Sequence, residues 1–143
     1  MVRGISHVTI LVRDLARTAG LLTVALGARE VYRSGGKSFS LSPERYFLLG
    51  DLWLCAMEGE PPAARSYAHI ALEVPEDALD GFRARLEAAG ATVLPGRARI
   101  PAEGRSIYFY DFDNHLFELH AGSLEARLAG YEAEERRMEH GAP

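Results

Sequence analysis

Hydrophobic positions along the chain follow two rhythms that recur twice in the same order. Residues 4–12 alternate and are rich in β-branched side chains, which predicts a half-buried strand. Asp14 stands where it can cap a helix. Leu15, Ala19, Leu22, Ala25 and Leu26 then recur at helical spacing, and Gly27 is a stop. Three more strands are expected at 28–33, 37–49 and 51–57. The pattern then starts again with a strand over 68–74. A helix opens near Pro75–Glu76, uses Leu79, Phe82, Leu86 and Ala89, and stops at Gly90. Strands at 91–95, 105–110 and 115–120 follow, with turns expected at Gly35-Gly36, Gly50-Asp51 and Asp113-Asn114. A final helix is predicted over 123–138 with Ser123 as its cap, and the last residues should fray.

In places the repetition is literal. Ser6-His7-Val8-Thr9-Ile10-Leu11-Val12 in the first half answers Ala68-His69-Ile70-Ala71-Leu72-Glu73-Val74 in the second. Leu26-Gly27-Ala28 likewise answers Ala89-Gly90-Ala91. The histidines are 62 residues apart and the glycines 63, so the spacing holds through a whole strand–helix–strand unit. The expected fold is α+β: two βαβββ modules, about 4–58 and 66–121, then a C-terminal helix, all in one domain over 1–143. Two such sheets can pair around a shared concave cup.

Composition narrows the function classes. A chain of 143 residues fits one domain and can bury roughly 70% of its unfolded surface. The formal net charge is −4 and there is no basic stripe, which argues against nucleic-acid binding. A single cysteine, Cys55, excludes a disulfide framework and a Cys-rich zinc site. The longest apolar run, Tyr46 to Met57, is broken by Gly50 and Asp51 and is too short for a membrane span. The N-terminus lacks the apolar core of a signal peptide, so a soluble cytoplasmic protein is expected.

The chemistry-bearing residues sit at repeated positions. His7 and His69 come early on the first strand of each module, where both imidazoles can point into the cup. On the last strand, Glu118 shares a face with Leu116 and His120. Two imidazoles and one carboxylate form a three-ligand set with open positions, suited to Mn²⁺, Fe²⁺ or Zn²⁺. A strand histidine is more often structural, and the spacing is no compact motif, so the residues alone reach only a candidate metal site. Glu44, read alone, is a solvated loop glutamate after Pro43. Cys55 reads as a small apolar core residue, and His115 and His120 as structural or supporting groups rather than ligands. The run 132–137 reads as a solvated helix end.

Several segments resemble the vicinal oxygen chelate superfamily, and more closely its fosfomycin-resistance proteins. They are Gly4-Ile5-Ser6-His7-Val8-Thr9, Asp51-Leu52-Trp53-Leu54-Cys55, Tyr67-Ala68-His69-Ile70-Ala71 and, most specifically, the stretch from Gly104 to His120. The resemblance covers about residues 3–130. Within that family, a water-using branch (the FosX type) carries a glutamate at the position of Glu44, where glutathione transferases carry a small residue.

The resemblance therefore implies a metal-dependent hydrolase that opens the fosfomycin epoxide with water to give a diol. It implies Mn²⁺ held by His7, His69 and Glu118, with Glu44 as the base that takes a proton from the attacking water. It assigns Thr9, Tyr67, Ser106, Tyr108 and Arg127 to the phosphonate, and Trp53 and Tyr46 to the wall of the cup. Where the glutathione transferases place a lysine and a potassium-binding serine, this chain has Ala98 and Ala102. A potassium requirement is thereby in doubt, and Arg97 or Arg99 is left to supply the cation. The resemblance also implies a homodimer whose cups combine modules of both chains. The alternatives are a thiol transferase on the same epoxide, a non-catalytic drug-binding protein, or a glyoxalase-type isomerase. The last of these normally needs an acidic or amide ligand near Cys55-Ala56, and this chain has none there.

Overall fold

The computed structural model describes residues 1–141. Two four-stranded mixed sheets carry the fold. In the first, β1 (His7–Val12), β4 (Leu52–Glu58), β3 (Glu44–Leu49) and β2 (Arg29–Arg33) lie in that order. In the second, the order is β5 (His69–Glu73), β8 (Leu116–Ala121), β7 (Arg105–Tyr110) and β6 (Thr92–Val93). The strand order is the same in both, with the first strand of each module parallel to the last and the rest antiparallel. This is the doubled βαβββ arrangement expected from the sequence.

Each sheet has one face for the core and one for the site. Val8, Ile10 and Val12 alternate inward on β1, while His7, Thr9 and Leu11 point out. On β8, Phe117 and Leu119 join the core and Glu118 and His120 take the opposite face. One apolar cluster runs through both modules, including Ile10, Leu22, Phe47 and Leu54 from the first and Leu79, Leu86, Phe109 and Phe117 from the second. Phe109 and Phe117 stack at 5.4 Å between ring centroids. Arg85 Nε donates to the Ala25 carbonyl at 3.1 Å and ties the second module's helix to the first module.

The helices follow their signals. Asp14 accepts from the Arg17 amide at 2.9 Å and caps α1 (Leu15–Gly20). That helix continues as a π-helical turn, Leu21–Ala25, where the Thr23 hydroxyl donates back to the Ala19 carbonyl at 2.7 Å. A short 3₁₀ turn, Glu76–Ala78, leads into α2 (Leu79–Ala88), and Ser123 caps α3 (Leu124–Glu139) through the Ala126 amide. No helix among the described residues is long and apolar enough to cross a membrane.

Three boundaries differ from expectation. The first strand starts at His7 rather than at residue 4. The strand expected over 37–49 begins only at Glu44, so Gly35-Gly36 lies in a long connection and not in a tight hairpin. Serine hydroxyls there take the place of ladder bonds: Ser38 donates to the Ser42 carbonyl at 2.8 Å and Ser42 to the Glu58 carbonyl at 2.5 Å. The strand expected over 91–95 shrinks to Thr92–Val93, ahead of Pro95. From there residues 94–104 form a loop, with a 3₁₀ turn at Pro101–Glu103, that folds back over β8. Gly104 closes it at φ 72°, where a Cβ would lie 2.0 Å from the Ala121 carbonyl oxygen, so only glycine permits this approach.

Candidate active site

The functional side chains fall into two clusters, one on the outer face of each sheet. Register places His7 opposite Trp53, Thr9 opposite Cys55, Tyr46 opposite Cys55 and Glu44 opposite Met57. Glu44 is therefore no loop residue: it opens β3 and is 4% exposed. Its two oxygens have separate partners, the Tyr46 hydroxyl donating to Oε1 at 2.9 Å and the Cys55 thiol to Oε2 at 3.5 Å. Its hydrogen bond with Glu44 and its burial push the Tyr46 phenol up to about 12. Burial, then the Glu44 carboxylate, push the Cys55 thiol up to about 11. Both donors thus stay protonated at neutral pH and hold the Glu44 carboxyl group in one orientation. Trp53 and Tyr46 are half-buried rather than core residues; Trp53 meets His7 in a tilted contact at 4.4 Å between ring centroids and Tyr46 edge-on at 5.1 Å.

The second cluster surrounds Glu118. His69 Nδ1 lies 2.7 Å from the Tyr67 carbonyl oxygen, which can only accept, so Nδ1 carries the proton. His69 Nε2 is thereby turned toward Glu118 Oε2 at 3.0 Å. With Nε2 unprotonated the two atoms would present lone pairs to a shared cation, and their spacing matches neighbouring ligands each about 2.1 Å from one divalent ion. The opposite oxygen, Glu118 Oε1, accepts from the Ser106 hydroxyl at 2.5 Å and from Arg99 Nη2 at 3.4 Å. Burial alone would raise the Glu118 pKa. The bonds from Ser106 and Tyr108 and the nearby His120 and His69 outweigh it, leaving the carboxyl below its ordinary range.

Around this pair gather most of the groups expected to meet an anion. Tyr67 and Tyr108 share a hydroxyl–hydroxyl bond of 3.2 Å, and Arg99 Nη2 donates to the Tyr108 hydroxyl at 3.1 Å. Ser106 and Tyr108 occupy one face of β7, as their alternation predicts. Arg127 reaches from α3 to within 3.3 Å of His120 Nε2. Thr9 is the exception, since it sits on the first sheet beside His7. Of the two loop arginines, Arg97 pairs with Glu103 at 3.0 Å and also interacts with the Tyr108 hydroxyl, while Arg99 points into the cluster toward Glu118 and its side chain is 11% exposed. Its Nη1 is buried with no hydrogen-bond partner among the described residues. A buried guanidinium nitrogen without a partner is costly unless an anion completes it. A cavity of about 500 Å³, lined by Arg97, Arg99, Ile100, Arg105, Ser106 and Tyr108 among others, opens beside it.

Within one chain the two clusters do not meet. Among the described residues no three His, Cys, Asp or Glu side chains converge on one point. The structure brings His69 and Glu118 together and leaves His7 on the other sheet, exposed and beside Ser6 and Trp53. Sequence reasoning left the choice between Arg97 and Arg99 open and gave His120 only a structural or supporting part. In a loop carrying two arginines, composition holds no signal for which one points inward. The register of β7 against β8 places His120 opposite Ser106, a neighbour that the sequence alone does not disclose.

Comparison with known proteins agrees with this architecture. The profile of the Glyoxalase/Bleomycin resistance protein/Dioxygenase superfamily matches residues 4–119. The fosfomycin resistance protein FosX of Listeria innocua is 48% identical over 131 residues, covering 92% of this chain and 98% of that protein. FosX of Mesorhizobium japonicum is 50% identical over 129 residues, covering 90% and 93%. The crystal structure of a FosX mutant from Listeria monocytogenes, complexed with Mn(II) and 1S,2S-dihydroxypropylphosphonic acid, superposes with a TM-score of 0.84. It is 47% identical, covering 92% of this chain and 99% of that one. The chain thus belongs to the FosX fosfomycin resistance proteins of the Glyoxalase/Bleomycin resistance protein/Dioxygenase superfamily.

Proposed function

We propose that this protein opens the epoxide of fosfomycin with water in a manganese-dependent reaction, giving the vicinal diol and inactivating the drug. The observation that carries the reading is Glu44, a buried carboxylate whose oxygens are oriented by Tyr46 and Cys55 on the face that bears His7. An ionised carboxylate kept from bulk water and held in place suits a general base. The diol in the related crystal structure is what addition of water to that epoxide would yield.

In this reading Glu44 takes a proton from water. The water oxygen bonds to the ring carbon bearing the phosphonate, and that carbon's bond to the ring oxygen breaks. The ring oxygen keeps the electron pair and is then protonated. His7, His69 and Glu118 would hold Mn²⁺, for which the paired lone-pair donors His69 Nε2 and Glu118 Oε2 are already 3.0 Å apart. When bound, the ion would polarise the epoxide oxygen and offset its developing charge. Arg99, Arg127, Tyr67 and Tyr108 bring donors to the phosphonate, with Thr9 from the opposite sheet. The otherwise unpartnered Nη1 of Arg99 gains an acceptor from it. Trp53 and Tyr46 wall the pocket.

A homodimer would complete the site, with His7, Thr9 and Glu44 of one subunit facing His69 and Glu118 of the other. The outer faces support this: Leu11 beside His7 is 40% exposed and Tyr67 beside His69 is 64% exposed, both large groups for a free surface. The reading places the enzyme in the cytoplasm, where the buried Cys55 thiol stays reduced. Incubation of metal-stripped protein with fosfomycin and Mn²⁺, without thiol, tests the proposal by phosphorus NMR. Diol formation supports it. Conversion that appears only after glutathione is added overturns it in favour of thiol transfer, and no conversion under either condition overturns the choice of substrate.

A further inference from the structure

His120 lies at the centre of a chain of hydrogen bonds that crosses the second cluster. Its Nε2 is 3.3 Å from Arg127 Nη2, its Nδ1 is 2.8 Å from Ser106 Oγ, and Ser106 Oγ is 2.5 Å from Glu118 Oε1. The direction of each bond follows from what the groups can do. A guanidinium only donates, so Nε2 facing Arg127 must accept and carries no proton. A serine hydroxyl has one proton, and the ionised Glu118 oxygen can only accept, so that proton goes to Glu118. Ser106 must then accept from His120, which puts the imidazole proton on Nδ1. Both ends of the chain independently require the same tautomer.

We propose that His120 is a positioning residue that links Arg127 to the Ser106–Glu118 pair through one fixed, Nδ1-protonated tautomer. The inference rests on the proposed roles of Glu118 toward the metal and Arg127 toward the phosphonate. The ring has little freedom to turn. Its side chain is 16% exposed, and a Cβ on Gly122 would lie 2.9 Å from Nε2, so the backbone passes close on that side. Through this chain, the orientation of a ligand carboxylate and that of the anion-binding arginine depend on each other.

Nitrogen NMR on metal-free wild-type protein with labelled histidine reads the tautomer directly, with no turnover needed. The expected result for His120 is a protonated-nitrogen signal at Nδ1 and an unprotonated one at Nε2. The reverse pattern overturns the proposal. Two variants separate the links, because an asparagine amide reaches the Nδ1 position and a glutamine amide the Nε2 position. His120→Asn should bind Mn²⁺ within about threefold of wild type while raising KM for fosfomycin about tenfold. His120→Gln should retain KM and weaken Mn²⁺ binding, followed by electron paramagnetic resonance, about tenfold. Equal effects of both variants on both quantities overturn the linkage. Wild-type protein that fails to convert fosfomycin would instead count against the proposed function and leave the tautomer result standing.

Discussion

Glu44 and Ser106 occupy the same position in the two halves of the chain. Tyr46 pairs with Cys55 in the first sheet as Tyr108 pairs with Glu118 in the second, and Glu44 and Ser106 each lie two residues before that tyrosine. The same step of β-structure thus bears a buried base in one module and, in the other, a hydroxyl that holds a metal-type carboxylate. The repeat built one scaffold twice, and the side chains divide the work.

Glu44→Gln should fold normally, because the amide fills the same space and its oxygen still accepts from Tyr46. The epoxide-opening rate should drop by about 10²–10⁴-fold, the usual worth of a general base, with Mn²⁺ affinity unchanged. Steady-state kinetics and metal titration of the one variant check both halves. A rate within about threefold of wild type would remove Glu44 from the base role.

The two loop arginines should separate cleanly. Arg99→Ala removes a guanidinium that bonds Tyr108 and Glu118, and KM for fosfomycin should rise at least about tenfold. Arg97→Ala removes a half-exposed partner of Glu103 that touches the cluster only through the Tyr108 hydroxyl, and should raise KM several-fold less than Arg99→Ala does. Comparing KM for the two variants decides which cation serves the anion.

Stability should fall at high pH for a reason that Cys55 and Tyr46 supply. Folding raises their pKa values from 9.0 to about 11 and from 10.0 to about 12. Above pH 9 the unfolded chain loses these protons first, so the native state binds more protons and its stability drops as pH rises. Thermal unfolding should show a plateau below pH 9 and a decline through 11, shallower in Cys55→Ala. An identical decline in that variant would refute the contribution of the thiol.

Complementation tests the shared site. His7→Ala and Glu118→Gln should each be inactive alone. Equal mixtures, unfolded and refolded together, should recover about a quarter of wild-type activity, because half the dimers then hold one intact site. A mixture that stays inactive would mean each site draws on one chain only.

Much of the fold could be read from the sequence because the two modules repeat the same local signals. The 62-residue interval from His7 to His69, the Asp14 and Ser123 caps and the alternation on β1 and β8 all correspond to elements of the structure. The pattern misled where polar side chains compete with the backbone ladder, as Ser38 and Ser42 do before β3. The candidate site was legible as residue types and less so as geometry. Glu44 looked like a loop residue because Pro43 precedes it, yet it is buried by its β-register opposite Met57. The inward turn of Arg99 depends on Gly104 folding the loop over β8, a tertiary contact with no local signature.

Turnover in heavy-oxygen water, with Mn²⁺ present and thiol absent, tests the central claim most directly. The diol should carry one solvent oxygen, which mass spectrometry would find on the carbon that bears the phosphonate. A wild-type reaction that incorporates no solvent oxygen, or that waits for a thiol, would contradict a hydrolase with Glu44 as its base.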